Sequence, residues 1–283
     1  MKQRVISAVL ICAVFAVLIG FSGYALILKA VIAAISACAL YEVLVVTKYV
    51  ESKSLLIISL LFALVIPFIP DFKRSAFTGG IFIFAIILFT SLICLYKDFS
   101  LEHLCVVFMM SIIIPFFFSA IIYMRQADST LGIYYMIMIF MCAWATDTGG
   151  YVFGRMFGRH RMTPIISPKK TIEGAIGGYI ATAGMMTAIA YAAHVFTGAD
   201  INFASLCVFA LFGSTCAILG DLSASVIKRS FGAKDFGNLI PGHGGIMDRF
   251  DSILFVAPMM YLYYNVTVTV LPRIGINFAI FTH

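Results

Sequence analysis

Charge is what this chain has least of. Only 11% of its 283 residues are charged, where soluble domains carry about 25%. With 62% hydrophobic residues and a mean hydropathy of +1.05, that scarcity excludes an ordinary soluble domain. It points to an all-α, polytopic integral membrane protein. Paired cysteines are also missing. The seven cysteines, Cys12, Cys38, Cys94, Cys105, Cys142, Cys207 and Cys216, stand singly in apolar stretches. None forms a CxxC pair and their number is odd, which excludes a complete disulfide framework, and no Cys/His spacing suggests zinc. There is no Walker A sequence and no GxGxxG, so neither a P-loop nor a Rossmann nucleotide site is supported. The formal net charge of +6 reads as membrane orientation, with no nucleic-acid partner expected.

What the chain has instead is long apolar runs. A hydrocarbon core about 30 Å thick needs about 20 helical residues. Nine stretches qualify, near residues 5–22, 25–47, 54–70, 75–96, 102–123, 131–153, 172–196, 202–227 and 250–271. The opening MKQR before an apolar run imitates a signal peptide, but among so many spans it reads as a retained first helix. Placing the N-terminus in the cytosol puts fourteen of the nineteen Lys and Arg residues on the inner side, four outside, and Lys29 within a span. The positive-inside rule therefore supports nine transmembrane helices, N-in and C-out. Residues 1–130 read as about five scaffold spans with few polar residues. Residues 131–283 read as catalytic spans with two basic cytosolic loops, 154–171 and 228–249, the whole forming one integrated membrane domain. No appended soluble domain, low-complexity tract or clear repeat is expected.

Acids inside such helices need a reason, because an ionised Asp at a helix centre costs about 2.5–3.5 kcal/mol on insertion scales. Asp147 lies in "CAWATDTGGYVFGR" and Asp221 in "CAILGDLSASVIKR", both near the inner ends of their spans. The ninth span opens with Asp248 and Asp251, three apart and so on one side of a helix. Along the eighth, Asp221, Ser225 and Lys228 form one stripe. Any one acid could simply pair with a nearby Lys or Arg at a loop end. Four from distant segments, expected at one depth, read better as a metal site. Hard oxygen donors suit Mg²⁺, which takes one or two carboxylates plus substrate phosphates.

The loops carry the opposite charge. "GRHRMTPIISPKKTIEG" contributes Arg159, Arg161, Lys169 and Lys170, then Thr171 where a helix with free amides begins. Pro164 and Pro168 should hold the approach extended. The second loop contributes Lys228, Arg229, Lys234 and the glycines Gly242, Gly244 and Gly245, which would let backbone approach a phosphate and adopt positive φ. His243 is the one histidine in a motif-like setting; His103, His160, His194 and His283 read as interfacial or packing residues. Gly150, Gly154 and Gly158, like Gly174 and Gly178, read as helix-packing contacts. Glu42, near the inner end of the second span, could join the site, but a local hydrogen bond or a snorkelling position is the plainer expectation. Basic loops alone would be topology signals or anionic-lipid contacts. Beside carboxylates they read as a metal–polyphosphate site.

The stretch "SVIKRSFGAKDFGNLIPGHGGIMDRFD", Ser225 to Asp251, resembles the signature of the phosphatidate cytidylyltransferases, also called CDP-diacylglycerol synthases. Every constrained position of that pattern is met over 27 residues. "DTGGYVFGRMFG" and "ISPKKTIEG" look like the family's other inner-face motifs, with Gly150 where Ala or another small residue is usual. The similarity covers residues 142–252. It implies Mg²⁺-dependent transfer of CMP from CTP to phosphatidate, a site facing the cytosol at a bacterial-type plasma membrane, and a homodimer. Onto matching positions it carries Asp221, Asp248, Asp147 and Asp251 as metal ligands, with Asp221, Asp248, Lys228 and Asp251 in the catalytic set. Substrate contacts would come from Ser167, Lys169, Lys170, Thr171, Ser225, Arg229, Lys234, His243 and Arg249. A related CTP-dependent enzyme acting on an isoprenoid-type lipid is the alternative. A transporter fits less well, because its acids would sit near the midplane between broken helices.

Overall fold

The computed structural model describes residues 15–47, 52–69, 74–95, 97, 99–237, 239 and 244–282. The first expected span therefore lies mostly outside the described residues, and Gly242, His243 and His283 lie outside them as well. The helices, in chain order, are α1 (Ala25–Thr47), α2 (Lys53–Val65), α3 (Arg74–Cys94), α4 (Leu101–Gln126), α5 (Gly132–Phe157), α6 (Ile172–Thr197), α7 (Phe203–Ser230) and α8 (Met247–Tyr264). Two short antiparallel pairs interrupt them: β1 (Arg161–Thr163) with β2 (Ser167–Thr171), and β3 (Asp200–Ile201) with β4 (Phe281–Thr282).

Six helical segments among the described residues are long and apolar enough to cross a membrane. They are α1, α4, α5, α6, α7 and the run from Met247 to Ile274 that α8 begins. The chain is thus an all-helical membrane protein. The segment expected at 54–70 is a shorter apolar helix, whereas that expected at 75–96 is helical over the 21 residues of α3. Proline explains the first: α2 has 13 residues and runs into the turn Ile66–Phe68, which holds Pro67. Thirteen residues rise only about 20 Å.

The chain forms two compact units. One comprises residues 1–122 and 227–250, the other 123–226 and 251–283; α7 and α8 contribute residues to both. In the first unit α1 buries Leu28, Ile32, Leu40, Val43 and Leu44. Rings from three helices stack alongside: Phe62 on Phe84 with centroids 4.3 Å apart, and Phe84 on Phe108 at 6.2 Å. Lipid-facing side chains need no polar cover, which is why large exposed apolar residues such as Ile93 and Leu26 occur on the same helices.

In the second unit a seam of small residues joins α5 to α6. A Cβ added at Gly149 would lie 2.5 Å from that of Ala181, one at Gly174 2.7 Å from the Gly150 carbonyl, and one at Gly178 2.9 Å from the Thr146 carbonyl. These glycines let the backbones touch, as the four-residue spacing of Gly174 and Gly178 predicts; Gly149 falls outside that spacing. Hydroxyl pairs reinforce the contact. Thr146 and Thr182 lie 2.8 Å apart, and Tyr179 of α6 meets Thr215 of α7 at 3.0 Å. At the other end of this unit, Tyr263 binds Ser205, and the β3–β4 pair ties residues 281–282 back to 200–201.

Candidate active site

The basic segment 159–171 is a hairpin, extended over Ser167–Thr171 as Pro164 and Pro168 predict. Thr171 then caps α6: its backbone is extended (φ −124°, ψ 156°) and its Oγ1 accepts from the Gly174 amide at 3.1 Å. That satisfies one of the helix's unpaired donors. The same Oγ1 packs on the end of α5, 3.0 Å from a Cβ added at Gly154 and 2.9 Å from one added at Gly158. Glu173 closes the hairpin base, accepting from the amides of Arg159 and His160 and meeting His160 Nδ1 at 2.6 Å. His160 is thus a hairpin clasp, more specific than the packing role expected of it. Arg161 donates to the Pro168 carbonyl.

One lysine of this hairpin reaches an acid. Lys170 Nζ lies 2.6 Å from Asp221 Oδ2 on α7, and both side chains stay partly open to solvent, at 22% and 29% exposure. Lys169 is exposed and Ser167 half-buried. In the same unit Ser252 Oγ donates to Asp147 Oδ2 at 3.1 Å, and the Ser252 amide donates to Asp251 Oδ1 at 2.7 Å. Gly220, next to Asp221, packs so closely on the start of α8 that an added Cβ would meet the Asp251 carbonyl at 2.5 Å. Asp147 of α5, Gly220–Asp221 of α7 and Asp251–Ser252 of α8 are therefore neighbours at one level of this unit.

The first unit holds the rest of the charged motif. α7 ends on Gly232, whose φ of +66° allows the Ala233 amide to reach the Lys228 carbonyl and its own amide to reach that of Arg229. This is a Schellman turn, and it requires glycine or a strained residue. Lys228 Nζ donates to Asp248 Oδ1 at 2.6 Å, with the two side chains only 11% and 6% exposed. The other carboxylate oxygen accepts from the amides of Phe236 (2.8 Å) and Gly245 (3.0 Å), while the ammonium also lies 5.2 Å from the Phe236 ring centroid. Asp248 is thus held on both oxygens by three donors. Arg229, Lys234 and Arg249 are exposed, and Ser225 is half-buried.

Glu42 is the residue whose role sequence reasoning missed. It is neither snorkelled nor locally bonded. At 3% exposure, its carboxylate accepts from the amides of Ile246 (3.0 Å) and Met247 (2.8 Å), at the start of α8. The only signal was an acid within an apolar helix, because its partners lie some 200 residues away. The glycines of the loop divide accordingly. Gly244 takes a φ of +85°, as the glycine-rich spacing predicts, whereas Gly245 is required by packing: its Cβ would stand 2.3 Å from Glu42 Oε2. Among the described residues no group of three or more His, Cys, Asp and Glu side chains is arranged to hold a metal ion. Lysines, Ser252 and backbone amides meet the acids.

An all-helical membrane protein in which lysines of two basic segments are paired with aspartates on two of the long apolar helical segments is the class that these contacts define. The chain belongs to the cytidylyltransferase family, whose model matches residues 2–267. It is 44% identical over 129 residues to the phosphatidate cytidylyltransferase of Staphylococcus haemolyticus (strain JCSC1435), a match covering 46% of this chain and 48% of that protein. The protein of the same name from Staphylococcus aureus (strain COL) is 45% identical over the same length and shares. That of Staphylococcus epidermidis is 43% identical over 129 residues. The chain thus matches about half the length of these curated relatives.

Proposed function

We propose that the chain is a phosphatidate cytidylyltransferase that transfers CMP from CTP to phosphatidate, forming CDP-diacylglycerol and releasing pyrophosphate. Membership of the cytidylyltransferase family carries the reading, and its similarity to phosphatidate cytidylyltransferases supplies the lipid. In this reading nine spans run N-in and C-out, and CTP meets the phosphatidate headgroup at the cytosolic face of a bacterial-type plasma membrane.

Carboxylates are the hard oxygen donors that a divalent cation such as Mg²⁺ takes, although no group of three is gathered to hold one among the described residues. Asp221 and Asp248 each present a hard carboxylate oxygen to a lysine ammonium 2.6 Å away, so cationic charge already sits against both. Asp221, Asp248, Asp147 and Asp251 are the residues that would hold Mg²⁺, which when bound neutralises phosphate charge that would otherwise repel the two anionic substrates. The chain's own residues do the rest. Lys169, Lys170, Lys228, Arg229 and Lys234 neutralise the triphosphate and the departing pyrophosphate, as fixed cations do in phosphoryl-transfer sites. Ser167 and Thr171 donate hydrogen bonds to phosphate oxygens. A phosphatidate oxygen attacks the α-phosphorus of CTP. The new P–O bond forms as the bond to the β-phosphate oxygen breaks, and the electron pair leaves with pyrophosphate. A phosphate monoester is largely ionised near neutral pH, so no protein nucleophile is needed.

The test is CTP-dependent formation of CDP-diacylglycerol by the purified, membrane-inserted chain, with Asp221→Asn and Asp248→Asn beside it. Turnover by the parent chain and its loss in both variants is the expected result. Near-parental rates in both variants overturn the reading, and turnover only when an isoprenoid phosphate or alcohol replaces phosphatidate reassigns the acceptor.

A further inference from the structure

We infer that Glu42 is the positioning residue for Asp248: its buried carboxylate clamps the loop that holds Asp248 against Lys228. Both oxygens are used, Oε1 on the Ile246 amide at 3.0 Å and Oε2 on the Met247 amide at 2.8 Å. Two consecutive amides on two oxygens set direction as well as distance, and they belong to the unpaired N-terminal donors of α8. A carboxylate at that end is also favoured by the helix dipole. The loop is moulded to this group from two sides. An added Cβ would lie 2.3 Å from Oε2 at Gly245 and 2.7 Å from Oε1 at Gly237.

The link to Asp248 is direct. The Gly245 α-carbon abuts Glu42, while the Gly245 amide donates to Asp248 Oδ2 at 3.0 Å. The Phe236 amide, next to Gly237, donates to the same oxygen at 2.8 Å. Both backbone donors that orient Asp248 therefore come from residues at or beside the glycines that touch Glu42. α1 needs no acid to form a helix, and an ionised side chain in such a helix is costly. Among the described residues, the bonds of the Glu42 carboxylate go to the amides of Ile246 and Met247 and not to a proposed substrate group. Glu42 acts through Asp248.

The proposal rests on the proposed function only where turnover is read, so the test has two readouts on the full chain in lipid. In Glu42→Gln the side-chain amide can accept only one of the two bonds. Hydrogen exchange, resolved to single amides, should then quicken about tenfold or more at Ile246 and Met247 and also at Phe236, which Asp248 alone holds. Faster exchange confined to 246 and 247 overturns the inference, because Asp248 has then stayed in place. In turnover, kcat should fall about tenfold or more with the KM for CTP moving less than about twofold, since displacement of a reacting group affects the chemical step more than binding. A parental kcat overturns the inference. Gly245→Ala should lower Tm alone yet do little further harm in the Glu42→Ala background, where space opens for the new methyl. Additive losses overturn it. If the parent chain forms no CDP-diacylglycerol, the proposed function fails, while the exchange and Tm readouts still decide the clamp.

Discussion

Two lysine–aspartate pairs have the same length, 2.6 Å, and different surroundings. Lys228–Asp248 is nearly buried, and Asp248 is further held by two backbone amides and, through its loop, by Glu42. Lys170–Asp221 is partly open, and its lysine sits on a two-stranded hairpin. Distance alone therefore says little about what a pair does. A buried pair fixes its carboxylate, and removing one partner strands the other charge away from water. An open pair contributes little to stability, and in the proposed function its lysine turns to a substrate phosphate.

The comparison predicts that the two aspartates differ in stability and agree in activity. Asp248→Asn and Asp221→Asn should each cut CDP-diacylglycerol formation on the order of 10²-fold or more, as loss of an electrostatic group at the reacting phosphates does. Asp248→Asn should also destabilise the protein by about 3–5 kcal/mol, the cost of breaking a buried pair. Asp221→Asn should cost no more than about 1 kcal/mol. Thermal unfolding in detergent checks this, and equal Tm losses would break the contrast.

A smaller effect should follow from the platform beneath Lys170. Gly174→Ala places a methyl against the Gly150 carbonyl and Thr171 and should cost about 1–3 kcal/mol by overpacking, read as a lower Tm. Lys170→Ala sharpens the open pair itself. The KM for CTP should rise several-fold with Tm nearly unchanged, and the rise should shrink as salt screens the exposed charge. Steady-state kinetics at two ionic strengths measures it. Smallest is Gly232→Ala, which strains the turn after Lys228 at a φ of +66° and should cost about 1 kcal/mol, seen as a Tm shift of a few degrees.

Much of this was legible without coordinates. The apolar runs from residue 25 onward became helices because hydropathy is a local property. Thr171 became a cap and Ser167–Thr171 became extended because a Thr before a helix and a proline just ahead of it act on their own backbone. The glycines of α5 and α6 declared themselves by spacing. The length of α2 did not follow from hydropathy, and Glu42 was misjudged because an acid in an apolar helix offers no clue to a partner 204 residues away. Gly245 looked like a phosphate contact for the same reason, its neighbour being invisible in the linear order.

Sequence by itself determined that this is a helical membrane protein with a cytidylyltransferase signature, since lipid solvation and short-range backbone preferences are set by composition and near neighbours. Only the tertiary structure decided which lysine meets which aspartate and which acid holds the α8 loop. Those choices depend on polar atoms from distant segments brought within about 3 Å of one another by packing, and no local spacing encodes that approach.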